Sequence, residues 1–317
     1  MELFKKTPSI DFMSRRYVAI AISIALLVIA IGSLIFRGLN LGIDFTGGTI
    51  IEVGYPESIE LSVVRSELGS GGYDDAIVQH FGTSKEVLVR VAPREGVSNA
   101  DLSNDVIAVL KNTGDLEVRR VEFVGPQVGE ELTNDGGLAM IYALVGILIY
   151  VYFRFEFRFA VGSVAALIHD VVIVMGFISI LGIEFNLTVL AAILAVIGYS
   201  LNDTIVVFDR IRENFRVIRK GTPIEIVNSS LNQTLSRTLI TSVTTMLVLL
   251  ALFFLGGEVI RGFALALIIG ILIGTYSSIY VASNITLLLG ITKEDLMPPQ
   301  KEGEDLEGIK EEIDNRP

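Results

Sequence analysis

Apolar positions in this chain gather into six long runs, 17–36, 137–153, 159–181, 187–208, 238–255 and 262–283. A helical run of roughly 17–25 residues matches the hydrocarbon thickness of a bilayer. The pattern therefore predicts a polytopic α-helical membrane protein with six transmembrane helices. Between the first two runs the period changes. Residues 49–55, 76–81, 87–91 and 116–123 read as strands, and 61–68 and 99–111 repeat at helical spacing. Turn signals separate them at Gly69, Gly71, Gly72, Gly82, Pro93 and Gly114. The order strand, helix, strand, strand, helix, strand predicts a ferredoxin-like α+β domain within 37–136. A domain of about 100 residues can bury a modest core.

Residues 209–237 mix Arg and Glu with apolar positions. They predict two short amphipathic helices lying at the membrane interface, with Pro223 opening the second. The last residues, 284–317, form an acidic tail. Beyond Met297 it is charged and poor in apolar side chains, so no packed structure is expected there. Lys and Arg divide unevenly. The N-terminal residues 1–16, the turn at Arg154 and Arg158, the 209–237 segment and the tail together hold sixteen, against only Arg37 and Arg261 in the short connections of the opposite side. The positive-inside rule then puts both termini in the cytoplasm and the 37–136 domain outside. The first run follows Lys5, Lys6, Arg15 and Arg16, as in a signal peptide, but no small-residue cleavage site follows it. An uncleaved anchor is expected.

Half the chain is apolar, yet its net charge is −11. The acidic excess lies in the inserted domain and the tail, and it gives no argument for nucleic-acid binding. The absence of Cys removes disulfide and thiolate chemistry. The absence of Trp leaves any interfacial aromatic belt to Tyr and Phe. GxGxxG, Walker A and HExxH signatures are missing, and the Ser-rich stretches have no base partner. These observations point away from an enzyme and from any cofactor or metal. His80, on an expected strand, reads as structural.

The candidate chemistry is inside the bilayer. Asp203 interrupts the fourth run beside Tyr199, Ser200, Asn202 and Thr204. An ionised acid at mid-span costs roughly 2.5–3.5 kcal/mol on insertion scales. It persists where it faces a bundle interior, is paired, or holds a proton. The third run carries His169 and Asp170, whose directions differ by about 100° on a helix. They are therefore not expected to face one partner together. Arg237 stands at the mouth of the fifth run, one turn before Thr241. A proton relay needs a carboxylate that can lose and regain a proton, and a cation that stabilises the anion. Asp203, Arg237, Asp170 and His169 form the candidate proton-coupling set. The alternative for Asp203 and Arg237 is a static ion pair locking two helices. In the sixth run, Gly270 and Gly274 make a small-xxx-small pattern suited to close helix contact, and are candidates for packing against a partner subunit.

Three motifs tie this pattern to a family. LGIDFTGGT at 41–49, VGPQVGEEL at 124–132 and IGYSLNDTIVVFDRIREN at 197–214 resemble the SecF side of the SecD/SecF family of protein-export membrane proteins. The likeness continues through LIHDVVIVMG at 167–176 and NQTLSRTLITSVTT at 232–245. It covers the chain up to the acidic tail. The resemblance implies half of a resistance-nodulation-division transporter, with SecD supplying the other half; six spans and one inserted domain argue against a SecD–SecF fusion. It implies the bacterial cytoplasmic (inner) membrane, and the SecYEG translocon, YajC, YidC and an unfolded exported polypeptide as partners. Protons would be the coupling ion, with Asp203 matching the family's intramembrane carboxylate and Arg237 the basic residue beside it. A small-molecule efflux subunit and a non-transporting translocon scaffold remain the competing readings.

Overall fold

A computed structural model describes residues 8–94, 96–218 and 220–292. Lys5, Lys6, Arg219 and the acidic tail beyond residue 292 lie outside the described residues. Unbroken Ile, Leu, Ala and Val carry α1 (Arg16–Phe36) across the first apolar run. The chain then makes β1 (Asn40–Leu41) and the single turn α2 (Ile43–Thr46). The inserted domain follows as β2 (Gly48–Gly54), α3 (Leu61–Ser70), β3 (Ile77–Phe81), β4 (Thr83–Val91), α4 (Asn99–Leu110) and β5 (Glu117–Val124). The βαββαβ order expected from the pattern is present. The sheet is antiparallel in the order β3-β4-β2-β5.

Alternation decides what each sheet face meets. Val87, Val89 and Val91 of β4 join Ile51 and Val53 of β2 under α3 and α4, with Val64, Leu68, Leu102 and Val106 closing the core. The intervening positions point the other way. Ile50 and Leu88 meet Ile43 of α2, and Arg90 emerges on that same face.

The remaining spans are α5 (Pro126–Arg154), α6 (Phe157–Leu181), α7 (Leu187–Val217), α8 (Pro223–Leu255) and α9 (Glu258–Ser277). The last continues through a π-helical turn, Ser278–Ala282, into α10 (Ser283–Leu288). Between α6 and α7 lies β6 (Glu184–Phe185), which pairs parallel with β1. Six helices among the described residues are long and apolar enough to cross a membrane. α6 and α7 are the most buried of them.

The helices outrun their apolar runs. α7 and α8, at 31 and 33 residues, measure about 46 and 50 Å, against a hydrocarbon layer of about 30 Å. The expected pair of interfacial helices within 209–237 is instead the continuation of α7 and the beginning of α8. Pro223 does open a helix, with a Thr222–Glu225 capping box, but that helix is α8 itself. The two extensions bind each other: Asn214 Nδ2 donates to Ser230 Oγ at 2.8 Å and to Gln233 Oε1 at 2.9 Å. The N-terminal residues lie along the same part of α8. Asn232 Oδ1 accepts from Ile10 N at 2.8 Å, and Asn228 Oδ1 from Phe12 N at 2.8 Å.

α5 likewise starts well before residue 137. Its first turns pack on the glycine turn before β2, where Gly47 and Gly48 take φ of 68° and 128°. A Cβ at Gly129 would fall 2.7 Å from Gly47 N. Two of the motifs singled out above, 41–49 and 124–132, are thus folded onto each other. Gly270 and Gly274 correct an expectation. Added Cβ atoms would meet Val196 Cγ2 at 2.1 Å and Ser200 Cβ at 3.1 Å. These glycines seat α9 on α7 within the chain, leaving no room there for a partner.

Candidate functional site

Burial along α7 sets the site. Ser200, Asp203, Thr204 and Val207 fall at i, i+3, i+4 and i+7, one helix face, and all are buried. Asp203 is 2% exposed, and its Oδ2 has no hydrogen-bond partner. Among the described residues it makes no ion pair. An ionised carboxylate left so in a low-dielectric site costs several kcal/mol, so it must gain a partner, admit water, or hold a proton.

Arg237 does not supply that partner by contact. It sits on an exposed face of α8, and no hydrogen bond or ion pair joins it to Asp203. Thr241 Oγ1 donates to the backbone carbonyl of Arg237 at 3.2 Å. Beside this pair, α7, α8 and α9 are joined by hydroxyls. Ser242 and Thr275 are 2.8 Å apart, and Tyr199 OH donates to Ser242 Oγ at a longer 3.5 Å.

Asp170 is the opposite of Asp203. It is 0% exposed, yet fully engaged. Ser200 Oγ and Ser277 Oγ donate to its Oδ2 at 2.5 and 2.6 Å, and its Oδ1 lies 2.8 Å from His169 Nδ1. One carboxylate on α6 therefore ties α7 and α9 to it, directly before the π-helical turn. Among the described residues His169 and Asp170 share no third partner, as their divergent directions imply, but they bond to each other. Their Cα–Cβ bonds diverge, but the side-chain tips are long enough to meet. His169 Nε2 is buried without a partner, and its ring lies over Tyr276 at a centroid distance of 6.2 Å.

The structure thus divides the four candidates. Asp203 is buried with an unpaired carboxylate oxygen, Arg237 is exposed and does not touch it, and Asp170 is fully engaged beside a His169 whose Nε2 is left unpaired. Sequence reasoning noted Ser200 only as a neighbour and missed Ser277. Ser277 could have been found as one of two consecutive serines in an otherwise apolar span. Also missed was Asp44, whose Oδ2 accepts from Leu187 N at 2.9 Å, at the first turn of the Asp203 helix. No group of His, Asp and Glu among the described residues is arranged to hold a metal.

Comparison with known proteins fits this architecture. The family model described as protein export membrane protein SecD/SecF, C-terminal, matches residues 105–292, and the SecD/SecF GG motif matches 32–55. A protein translocase subunit SecF of Vibrio alginolyticus is 54% identical over 96% of this chain and 98% of its own. One from Pseudomonas aeruginosa is 50% identical over 98% of this chain and 99% of its own. Among solved structures, the translocon-associated membrane protein SecDF of Thermus thermophilus superposes with a TM-score of 0.83 at 40% identity, over 90% of this chain. SecDF in its super-membrane-facing form gives 0.66 at 38% identity over 98%. This chain spans about two fifths of each SecDF chain, 39% and 41%. With six spans, one inserted sheet domain and near full-length matches to SecF subunits, the chain belongs to the SecD/SecF family of protein-export membrane proteins.

Proposed function

We propose that this chain is the SecF-type subunit of a bacterial protein translocase. It works with a SecD partner in the cytoplasmic membrane, and uses the proton motive force to help an unfolded polypeptide leave the SecYEG translocon. The Lys and Arg bias supports cytoplasmic termini and an outer sheet domain. YajC and YidC belong to the same proposed assembly, on the family resemblance alone. No ATP is available beyond the membrane, whereas the membrane potential offers about 2.3 kcal/mol per charge per 100 mV.

The observation that carries the reading is Asp203, buried on the most enclosed span with an unpaired carboxylate oxygen. Arg237 favours the ionised state from across the α7–α8 boundary, and protonation removes that attraction. Two protonation states thus favour two helix packings, which is what a gradient-driven motor requires. Asp170 and His169 hold the helices around Asp203 in register. Arg237 and Asn202 are both exposed polar residues on spanning helices, which suits contact with a SecD partner.

The test is export into vesicles containing the complete Sec assembly, with and without an imposed proton gradient. Asp203→Asn should assemble normally and lose the gradient-dependent part of export. Arg237→Met should lose a smaller part. If the double variant, Asp203→Asn with Arg237→Met, exports at the wild-type rate, proton coupling through these residues is wrong. A scaffold role is favoured instead if Asp203→Asn alone has no effect.

A further inference from the structure

Asp203 lies 16 residues beyond Leu187, the first residue of α7, or about 24 Å along the helix axis. A buried, hydrogen-bonded helix of that length carries a shift at its middle to its end. What α7 meets at that end is therefore mechanically informative. Asn186 caps the helix, its Oδ1 accepting from Val189 N at 3.0 Å, and Asp44 adds a second acceptor there: its Oδ2 accepts from Leu187 N at 2.9 Å. The carboxylate sits where the helix dipole favours a negative charge. Immediately before α7, β6 pairs with β1, and Gly42 N donates to Phe185 O at 2.8 Å. Phe45 stacks on Phe185 at 5.6 Å.

The sheet domain grips this two-stranded patch through Arg90. Its Nη2 lies 2.6 Å from Glu184 Oε2, and its Nη1 donates to Leu41 O at 2.7 Å. Arg90 therefore holds both strands at once, from β4, an interior strand of the sheet. Only 8% of it is exposed, so losing Glu184 would leave a buried charge without its counter-ion. The patch is packed without slack. A Cβ at Gly42 would come within 2.9 Å of Glu184 Oε1 and 3.1 Å of Asn186 Cβ.

We propose that Asp44, Arg90 and Glu184 form a joint that passes movement of α7 to the sheet domain. They are positioning residues: none touches Asp203, and each links the helix that carries it to the body that would move. The inference rests on the reading of Asp203 as the proton site, and adds the route by which its state reaches the outer face.

Two readouts separate a joint from a merely structural contact. The full complex with its SecD partner, in vesicles with the translocon, is assayed for gradient-dependent export and for proton flux by a pH-sensitive dye. Asp44→Ala and Arg90→Glu should each lower gradient-dependent export about fivefold while flux stays within about twofold of wild type. Combining Arg90→Glu with Glu184→Arg should recover at least about half of the lost export. Should Arg90→Glu fail to assemble, Asp44→Ala, which removes one acceptor and leaves the Asn186 cap in place, decides alone. Undiminished export in Asp44→Ala, or flux and export falling in step, overturns the joint. Asp203→Asn runs in parallel: wild-type export there sinks the proton reading itself, whereas loss there with intact export in Asp44→Ala sinks only the joint.

Discussion

Replacing Gly270 by Ala should destabilise this chain by itself, with or without a partner subunit. The added methyl would lie 2.1 Å from Val196 Cγ2, 2.8 Å from Cγ1 and 3.0 Å from Cβ. Ordinary carbon contacts begin near 3.5 Å. Val196 cannot swing aside cheaply, because a β-branched side chain in a helix has one strongly preferred χ1. Either it leaves that rotamer, at about 0.5–1.5 kcal/mol, or α9 retreats from α7. Overpacking of this kind costs about 1–3 kcal/mol, so about 2 kcal/mol is expected here. Gly274→Ala is a graded control. Its nearest contact would be Ser200 Cβ at 3.1 Å, so its cost should be under about 1 kcal/mol. Val196→Ala removes the obstructing methyls. In the double variant the penalty of Gly270→Ala should largely vanish, giving an interaction energy of about 1 kcal/mol or more. The assay is thermal unfolding of the purified chain in detergent, single and double variants side by side. Equal losses for Gly270→Ala and Gly274→Ala, or strict additivity with Val196→Ala, would refute the seating of α9 on α7. An effect seen only when SecD is present would return these glycines to the subunit interface.

Asp170→Ala strands hydroxyls on α7 and α9 and should cost about 1–3 kcal/mol, taking about 0.6–1.7 for each of the two interhelical bonds; Asp170→Asn keeps an acceptor and should lose less than half of that in the same unfolding assay. Tyr55 offers a pH test outside the membrane: burial raises its phenol above the ordinary 10.0, with the Thr113 hydrogen bond opposing. Because the folded value is the higher, its contribution is complete below pH 10.0 and is lost as the pH climbs through the folded value. The sheet domain should therefore weaken in that alkaline window, and Tyr55→Phe should remove this dependence in a pH series of unfolding curves. Asn232 Oδ1 accepts from Ile10 N and Asn232 Nδ2 donates to Ile10 O, each at 2.8 Å; Asn232→Ala should speed hydrogen exchange at Ile10 about tenfold, and unchanged exchange would mean that other contacts hold the N-terminal segment.

What the sequence disclosed follows from which forces are local. Hydrocarbon demands long apolar helices, so the six spans were legible from composition alone. The strands of the sheet domain were legible as short apolar runs bounded by glycine and proline turn signals, the pattern of strands covered on both faces. Helix ends were not legible at 209–237. The polar faces of Asn214, Ser230 and Gln233 suit an interface as well as each other, and only the fold brings residues 16 and 19 positions apart together. The candidate site divides along the same line. That Asp203 would be buried could be read from its neighbours. That Arg237 faces outward depends on how α8 rotates against α7, which periodicity does not fix. Asp170 shows the limit most clearly. Its donors Ser200 and Ser277 stand 30 and 107 residues away, and a serine in an apolar helix can equally bond its own backbone, as Thr286 does. Arg90 was harder still, because a single charge in an alternating strand reads as a solvated position until the body beneath that face is known. The least legible residues, Asp44, Ser277 and Arg90, bind elements distant in sequence, whereas Asp203 announced itself by the cost of its surroundings. A motor needs both kinds: a group whose environment leaves it unsettled, and well-satisfied contacts that make the rest of the structure respond to it.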